Sequence, residues 1–133
     1  MKQLNIGIDP GTKTGMAIWN KEKKKFDVLD TLPIHRALIQ VMNVRALINE
    51  VVVEDSRQKW FGGDPLRKQG AGSIKRDCSI WEAFLKDYDI PYRLVRPQKK
   101  ITKLKPAAFF QITGYGGHSS EHSRDAAMLV YAS

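Results

Sequence analysis

The stretch that decides the fold is Leu4–Asn20, "LNIGIDPGTKTGMAIWN". Apolar residues alternate with small or polar ones from Leu4 to Ile8, the two-residue period of a strand. Asp9 closes that run. "PGTKT" then turns the chain, and Gly15–Trp19 reads as a second strand. A hairpin needs turn residues here, but it does not need a carboxylate at the strand end. Asp9 is therefore the first candidate functional residue. The plainer alternative is a turn aspartate that hydrogen-bonds its own backbone.

Working outward, "NKEKKK" is a charged hairpin turn and "FDVLDTL" a third strand, so the first three strands form an antiparallel meander that ends at Pro33. His35–Ile48 places Ala37, Leu38, Val41, Met42, Leu47 and Ile48 at helical spacing. "VVVE", ending at Glu54, is short and apolar, as suits a buried parallel strand. "DSRQKWFGGDPL" is a loop whose Asp64-Pro65 pair suits a helix start. The spacing of Leu66, Gly70, Ile74, Cys78, Trp81, Leu85 and Tyr88 predicts a helix over 65–88 with this stripe in the core. Gly70 and Gly72 weaken that helix by roughly 1 kcal/mol each and admit another backbone. "PYRLVRP" is a fifth strand, "QKKITKLKP" a basic loop, Pro106–Ile112 a short helix and "TGYGGHSS" a loop. Ser120 opens a last helix that runs to the end of the chain. No repeat or low-complexity block interrupts this order.

The chain has 133 residues, of which 42% are apolar, which predicts one core-bearing domain spanning 1–133. No run approaches the roughly 20 apolar residues of a membrane span, and the N-terminus has no secretory pattern. Cys78 is the lone cysteine, so no internal disulfide forms and a reducing cytosol is expected. Lys and Arg number 22 against 14 Asp and Glu, a formal charge of +8. That excess favours a polyanion such as nucleic acid, although a solvated basic surface gives the same balance.

Three carboxylates stand apart. Asp9 ends the first strand, Glu54 ends the fourth, and Asp125 lies one turn into the last helix, three residues after His122. If the first and fourth strands are adjacent and parallel, Asp9 and Glu54 share one end of the sheet, and a helix over that end brings Asp125 to them. Clustered carboxylates repel unless a cation binds, and hard oxygen ligands suit magnesium or manganese. Each has a plainer reading: Glu54 as a strand end, Glu121 and Asp125 as acids at the positive end of a helix. Asp55 competes with Glu54, since alternation sends the two to opposite faces. Glu121 is a spare candidate on the last helix.

The stretches "IGIDPGTKTGMAIW", "VVVEDSRQKWFGG", "LRKQGAGSIKRD" and "HSRDAAMLVYA" resemble, in order and along nearly the whole chain, the RuvC family of Holliday-junction resolvases within the RNase H-like superfamily. The resemblance implies an α/β fold, a five-stranded mixed sheet with helices on both faces. It implies a structure-specific endonuclease that resolves four-way DNA junctions as a homodimer, compact enough to suggest a phage-type member. Asp9, Glu54, His122 and Asp125 would be catalytic and would bind two Mg2+ ions, with Mn2+ able to substitute. Many cellular members carry an acid where this chain has His122, and the RuvC-like domains of CRISPR nucleases share its His-x-x-Asp pair. His122 is thus open to two roles, metal ligand or proton carrier. Location would be cytoplasmic, at the nucleoid or in a host cell.

DNA contacts are expected from Lys13, Arg57, Lys59, Lys99, Lys100, Lys103 and Lys105 on phosphates. Trp60 and Phe61 lie in a polar loop and could stack on bases at a branch point, where the resolvases place an aromatic residue. Core packing is the usual alternative for Trp. The small residues Gly70, Ala71 and Gly72 offer a dimer contact. Alternatives within the class are nucleases of other branched DNA or of RNA–DNA hybrids, and a junction-binding module without catalysis. A sugar-kinase or actin-like ATPase shares a loop similar to "IDPGTKTG", but that fold needs two such domains.

Overall fold

The structure is a computed structural model that describes residues 2–58, 71–97 and 103–133. Its elements run β1 (Leu4–Asp9), β2 (Lys13–Asn20), β3 (Lys25–Pro33), α1 (Ile34–Asn43), β4 (Ile48–Glu54), α2 (Ala71–Asp87), β5 (Tyr92–Val95), α3 (Pro106–Thr113) and α4 (Glu121–Met128). Among the described residues, five strands form one mixed sheet in the order β3-β2-β1-β4-β5. β1 pairs antiparallel with β2 and parallel with β4, as the meander and the apolar "VVV" run predict.

Side-chain alternation divides the core between the two faces of the sheet. Ile6, Ile8, Met16, Ile18, Val51 and Val53 pack with Ala37 and Val41 of α1 and with Trp81 and Leu85 of α2. Ala17, Trp19 and Val52 point the other way, onto Phe109 of α3, Ala126 and Ala127 of α4, and Val130 just after it. Fully burying a large aliphatic or aromatic side chain contributes about 1.5–3 kcal/mol, so these two layers carry most of the driving force.

Three helix ends differ from expectation. The predicted helix over 35–48 stops at Asn43; a 3-10 turn follows over Arg45–Leu47, leaving Leu47 exposed, and Ile48 opens β4. The reason is tertiary: β-branched Ile48 is fully buried and pairs with Leu4 of β1. The stripe on α2 is core only in its middle. Cys78, Trp81 and Leu85 are buried, but Ile74 and Tyr88 are exposed. Tyr88 falls just past the helix end, where Asp89 takes a left-handed φ of 53° and turns the chain toward β5. α4 ends at Met128 and turns follow it, so the predicted run to the chain end is too long. The predicted start of α2 at Asp64-Pro65 lies outside the described residues.

α4 sits on the sheet at backbone distance. A methyl group on Gly7 would overlap the carbonyl of Ala126, and one on Gly15 would overlap the carbonyl of His122. Gly15 therefore makes room for the helix itself. At its start, α4 is held by a capping box. Ser120 Oγ accepts the Ser123 N–H at 3.1 Å, and Ser123 Oγ accepts the Ser120 N–H at 2.8 Å. The Ser120 hydroxyl also hydrogen-bonds Thr31 of β3. Among the described residues, no helix is long and apolar enough to cross a membrane.

Candidate active site

The register of the parallel pair creates the site. Ile8 of β1 pairs with Val53 of β4, so the next residues, Asp9 and Glu54, end their strands side by side. Both follow the alternation of Gly7 and Val52, which face α4. α4 then lays His122 and Asp125 over the same sheet end. His122 Nδ1 lies 3.0 Å from Asp9 Oδ2. Asp125 Oδ1 accepts the backbone N–H of Lys103 at 2.7 Å.

The electrostatics tie all four groups together. Burial, with Asp9 and Asp125 as like charges, raises the Glu54 pKa from 4.5 to about 7, while His122 opposes the rise. The bond to Asp9 raises the His122 pKa above its usual 6.5. Burial raises that of Asp125 above 3.8, partly offset by the Lys103 N–H. Three carboxylates thus lie within electrostatic reach of one imidazole, and burial first, then the like charges of Asp9 and Asp125, makes Glu54 harder to ionise.

Among the described residues, no three of these side chains already converge as a formed metal site. Asp9 is occupied by His122, and Asp125 by Lys103. The donor chemistry nonetheless fits a hard divalent cation: oxygen ligands from rigid elements, in excess of local positive charge, with the Glu54 pKa raised by burial and by its acidic neighbours.

Asp55 is turned away from this cluster. It is buried and accepts Arg57 Nε at 2.8 Å, Arg57 Nη2 at 3.1 Å and the Arg57 N–H at 3.0 Å. Burial alone would raise its pKa, but these bonds from Arg57 bring it below the usual value. Arg57 also reaches Glu82 of α2 at 3.2 Å. Its guanidinium is thus engaged within the fold, tying the loop after β4 to α2. Glu121 is exposed in the first turn of α4, where it complements the helix dipole.

Of the expected DNA contacts, Lys13 is exposed at the start of β2, and Lys103 and Lys105 are exposed just before α3. Lys59, Trp60, Phe61, Lys99 and Lys100 lie outside the described residues. Gly7 and Arg124 are structural determinants that the sequence reading passed over. Arg124 is buried, and the available signal was its place three residues before the core residue Ala127.

A mixed sheet of this order with helices on both faces is an α/β fold of the RNase H-like kind, the fold of the solved structures it resembles. No protein-family model and no curated protein matches the chain. Among solved structures, the chain is similar to T. thermophilus RuvC in complex with Holliday junction substrate. The TM-score is 0.63 at 16% identity, covering 98% of this chain and 91% of that one. It is also similar to the structure of Thermus thermophilus RuvC, with a TM-score of 0.59 at 15% identity, covering 97% and 92%.

Proposed function

We propose that this chain is a divalent-metal-dependent endonuclease that resolves four-way DNA junctions. The observation that carries the reading is the gathering of Asp9, Glu54 and Asp125 with His122 at one end of an RNase H-like sheet. The fold likeness to a RuvC bound to a Holliday junction supports the substrate class, and the +8 charge suits a polyanion.

Asp9, Glu54 and Asp125, with His122, would hold two Mg2+ ions, or Mn2+ in their place. Bound there, the cations would offset phosphate charge and make water more acidic. The reaction adds water oxygen to phosphorus and breaks one P–O bond; the attacking water loses a proton and the leaving oxygen gains one. His122, exposed and hydrogen-bonded to Asp9, is placed to carry one of those protons. Glu54, whose pKa is raised by burial and by Asp9 and Asp125, would ionise more readily with a cation held beside it. Lys13, Lys103 and Lys105 neutralise backbone phosphates and orient the substrate.

The proposal includes a homodimer, because a four-way junction has near two-fold symmetry and two matched sites cut two strands. Ile74, Ile80 and Tyr88 of the α2 region are exposed apolar groups of the kind an interface covers.

The deciding experiment incubates labelled four-way junction, linear duplex, flap and RNA–DNA hybrid with the protein, with and without magnesium. Paired cuts in the junction alone, lost with Asp9→Asn, are expected. Preferential cutting of flap or hybrid moves the substrate to another branched or hybrid class. Junction binding without cutting in either metal makes this a binding module and ends the nuclease reading.

A further inference from the structure

Arg124 is 7% exposed, yet the acceptors around its guanidinium are neutral. Its Nε donates to the Leu104 carbonyl at 2.6 Å, and its Nη1 donates to the Ser119 carbonyl and the Ser119 hydroxyl, both at 3.0 Å. A buried, permanently charged group is costly to desolvate, and a Leu or Met would fill the same space without that cost. What the guanidinium adds is reach in two directions. It grips the segment before α3 on one side and the approach to the Ser120 cap on the other.

The next residue of α4 grips the same segment. Asp125 Oδ1 accepts the Lys103 N–H at 2.7 Å, and Lys103 is held at a left-handed φ of 62°, which residues with a side chain seldom adopt. Consecutive side chains of α4 thus hold backbone groups of two consecutive residues, Arg124 by the Leu104 C=O and Asp125 by the Lys103 N–H. This fixes the exposed Lys103 and Lys105 relative to the helix that carries His122 and Asp125.

We infer that Arg124 is a positioning residue, a two-sided clamp that sets the spacing between the phosphate-binding lysines and the carboxylate cluster. Its consequence for DNA rests on the proposed nuclease reading; the clamp itself does not.

The test uses the full chain with Arg124→Gln, Arg124→Lys and Lys103→Gly. Lys103→Gly keeps the N–H, tolerates the left-handed φ and removes one cation. Amide exchange at position 103 is followed by NMR. Four-way junction binding is measured in metal-free buffer across a salt series. Arg124→Gln should speed exchange at position 103 by at least about tenfold with cooperative melting retained. Its slope of log affinity on log salt should become shallower by about 1–2, as two phosphate contacts loosen. Lys103→Gly should lower the slope by about 1 while the amide stays protected. Arg124→Lys should fall between wild type and Arg124→Gln, because an ammonium cannot span both segments as the planar fork does. If Arg124→Gln does not fold, exchange in Arg124→Lys decides: faster than wild type supports the clamp, equal to wild type overturns it. A folded Arg124→Gln with a protected amide and an unchanged slope also overturns it. A wild-type protein that does not bind the junction defeats the nuclease reading, while the exchange data still judge the clamp.

Discussion

Asp9 and His122, 113 positions apart in the chain, meet with Oδ2 and Nδ1 3.0 Å apart. The pair makes the histidine harder to deprotonate and leaves Asp9 occupied until something displaces the imidazole. In Asp9→Asn the His122 pKa should fall back toward its usual value, because its largest raising influence is gone. NMR titration of the His122 ring reads this directly. The same variant should cut four-way junctions at least about a hundredfold more slowly while binding them normally. A His122 titration unmoved by the substitution would show that the contact is not made in solution.

Gly15 and Gly72 should respond oppositely to the same change. Gly15→Ala drives a methyl into the His122 carbonyl and should destabilise the protein by about 1–3 kcal/mol or more. Gly72 has open space around its would-be Cβ and lies in α2, so Gly72→Ala should stabilise by about 0.5–1 kcal/mol. Urea unfolding of both variants is the check. Similar shifts of one sign would contradict the close helix–sheet contact.

The metal-free protein should lose stability as pH rises. Glu54 has a folded pKa of about 7 against 4.5 for the free side chain, so between those values the folded state binds the extra proton. Stability from this group is full below about pH 4.5 and is gone above about 7. His122 and Asp125, both raised, act with the same sign, each fading as pH passes its folded value. Asp55 is lowered and acts oppositely, so its contribution is lost only as pH falls below 3.8. Melting temperature should therefore be higher at about pH 5.5 than at about pH 8 without metal. Magnesium or manganese should raise it more at the higher pH, where the carboxylates are ionised. A flat profile, with metal acting equally at both values, would argue against a shared acidic cluster.

Trp60 and Phe61, which follow Glu54 in the sequence, are predicted to stack at the junction branch point. Stacking contributes about 1–3 kcal/mol per base, and it is needed only where bases must part. Changing both to Ala should slow cleavage of a perfectly paired junction by at least about tenfold. A junction with mismatched bases at its centre should recover much of that rate. Equal losses on the two junctions, or none, would leave both residues to packing.

The antiparallel meander of β1–β3 and the place of Asp9 and Glu54 at strand ends were legible from alternation, turn residues and the apolar run before Glu54, whereas the parallel adjacency of β1 and β4 was a condition that only the structure supplies. Local capping chemistry likewise made Ser120 readable as the start of α4. The limits of α1 and α2 were not readable. Ile48 suits a helix by spacing and becomes a strand residue only because Leu4 lies beside it in space. Tyr88 keeps the helical period but falls where the helix has already ended. Within the site, the residue types were readable and their partners were not. Nothing local says that Asp55 would be claimed by Arg57 or that Gly15 would lie beneath His122.

The docking of α4 onto β1 and β2 also has a meaning in time. A ribosome delivers β1 and β4 well before α4, so Asp9 and Glu54 can already lie on a growing sheet while His122 and Asp125 have not been made. Their four-group cluster joins segments far apart in sequence, and such contacts are slow to form because the intervening chain must first be closed into a loop. A nascent chain therefore carries half of the acidic cluster and lacks the helix that completes it. The cluster cannot form before α4 is made, so if the proposed nuclease reading holds, a chain truncated before residue 121 should not cut nucleic acid.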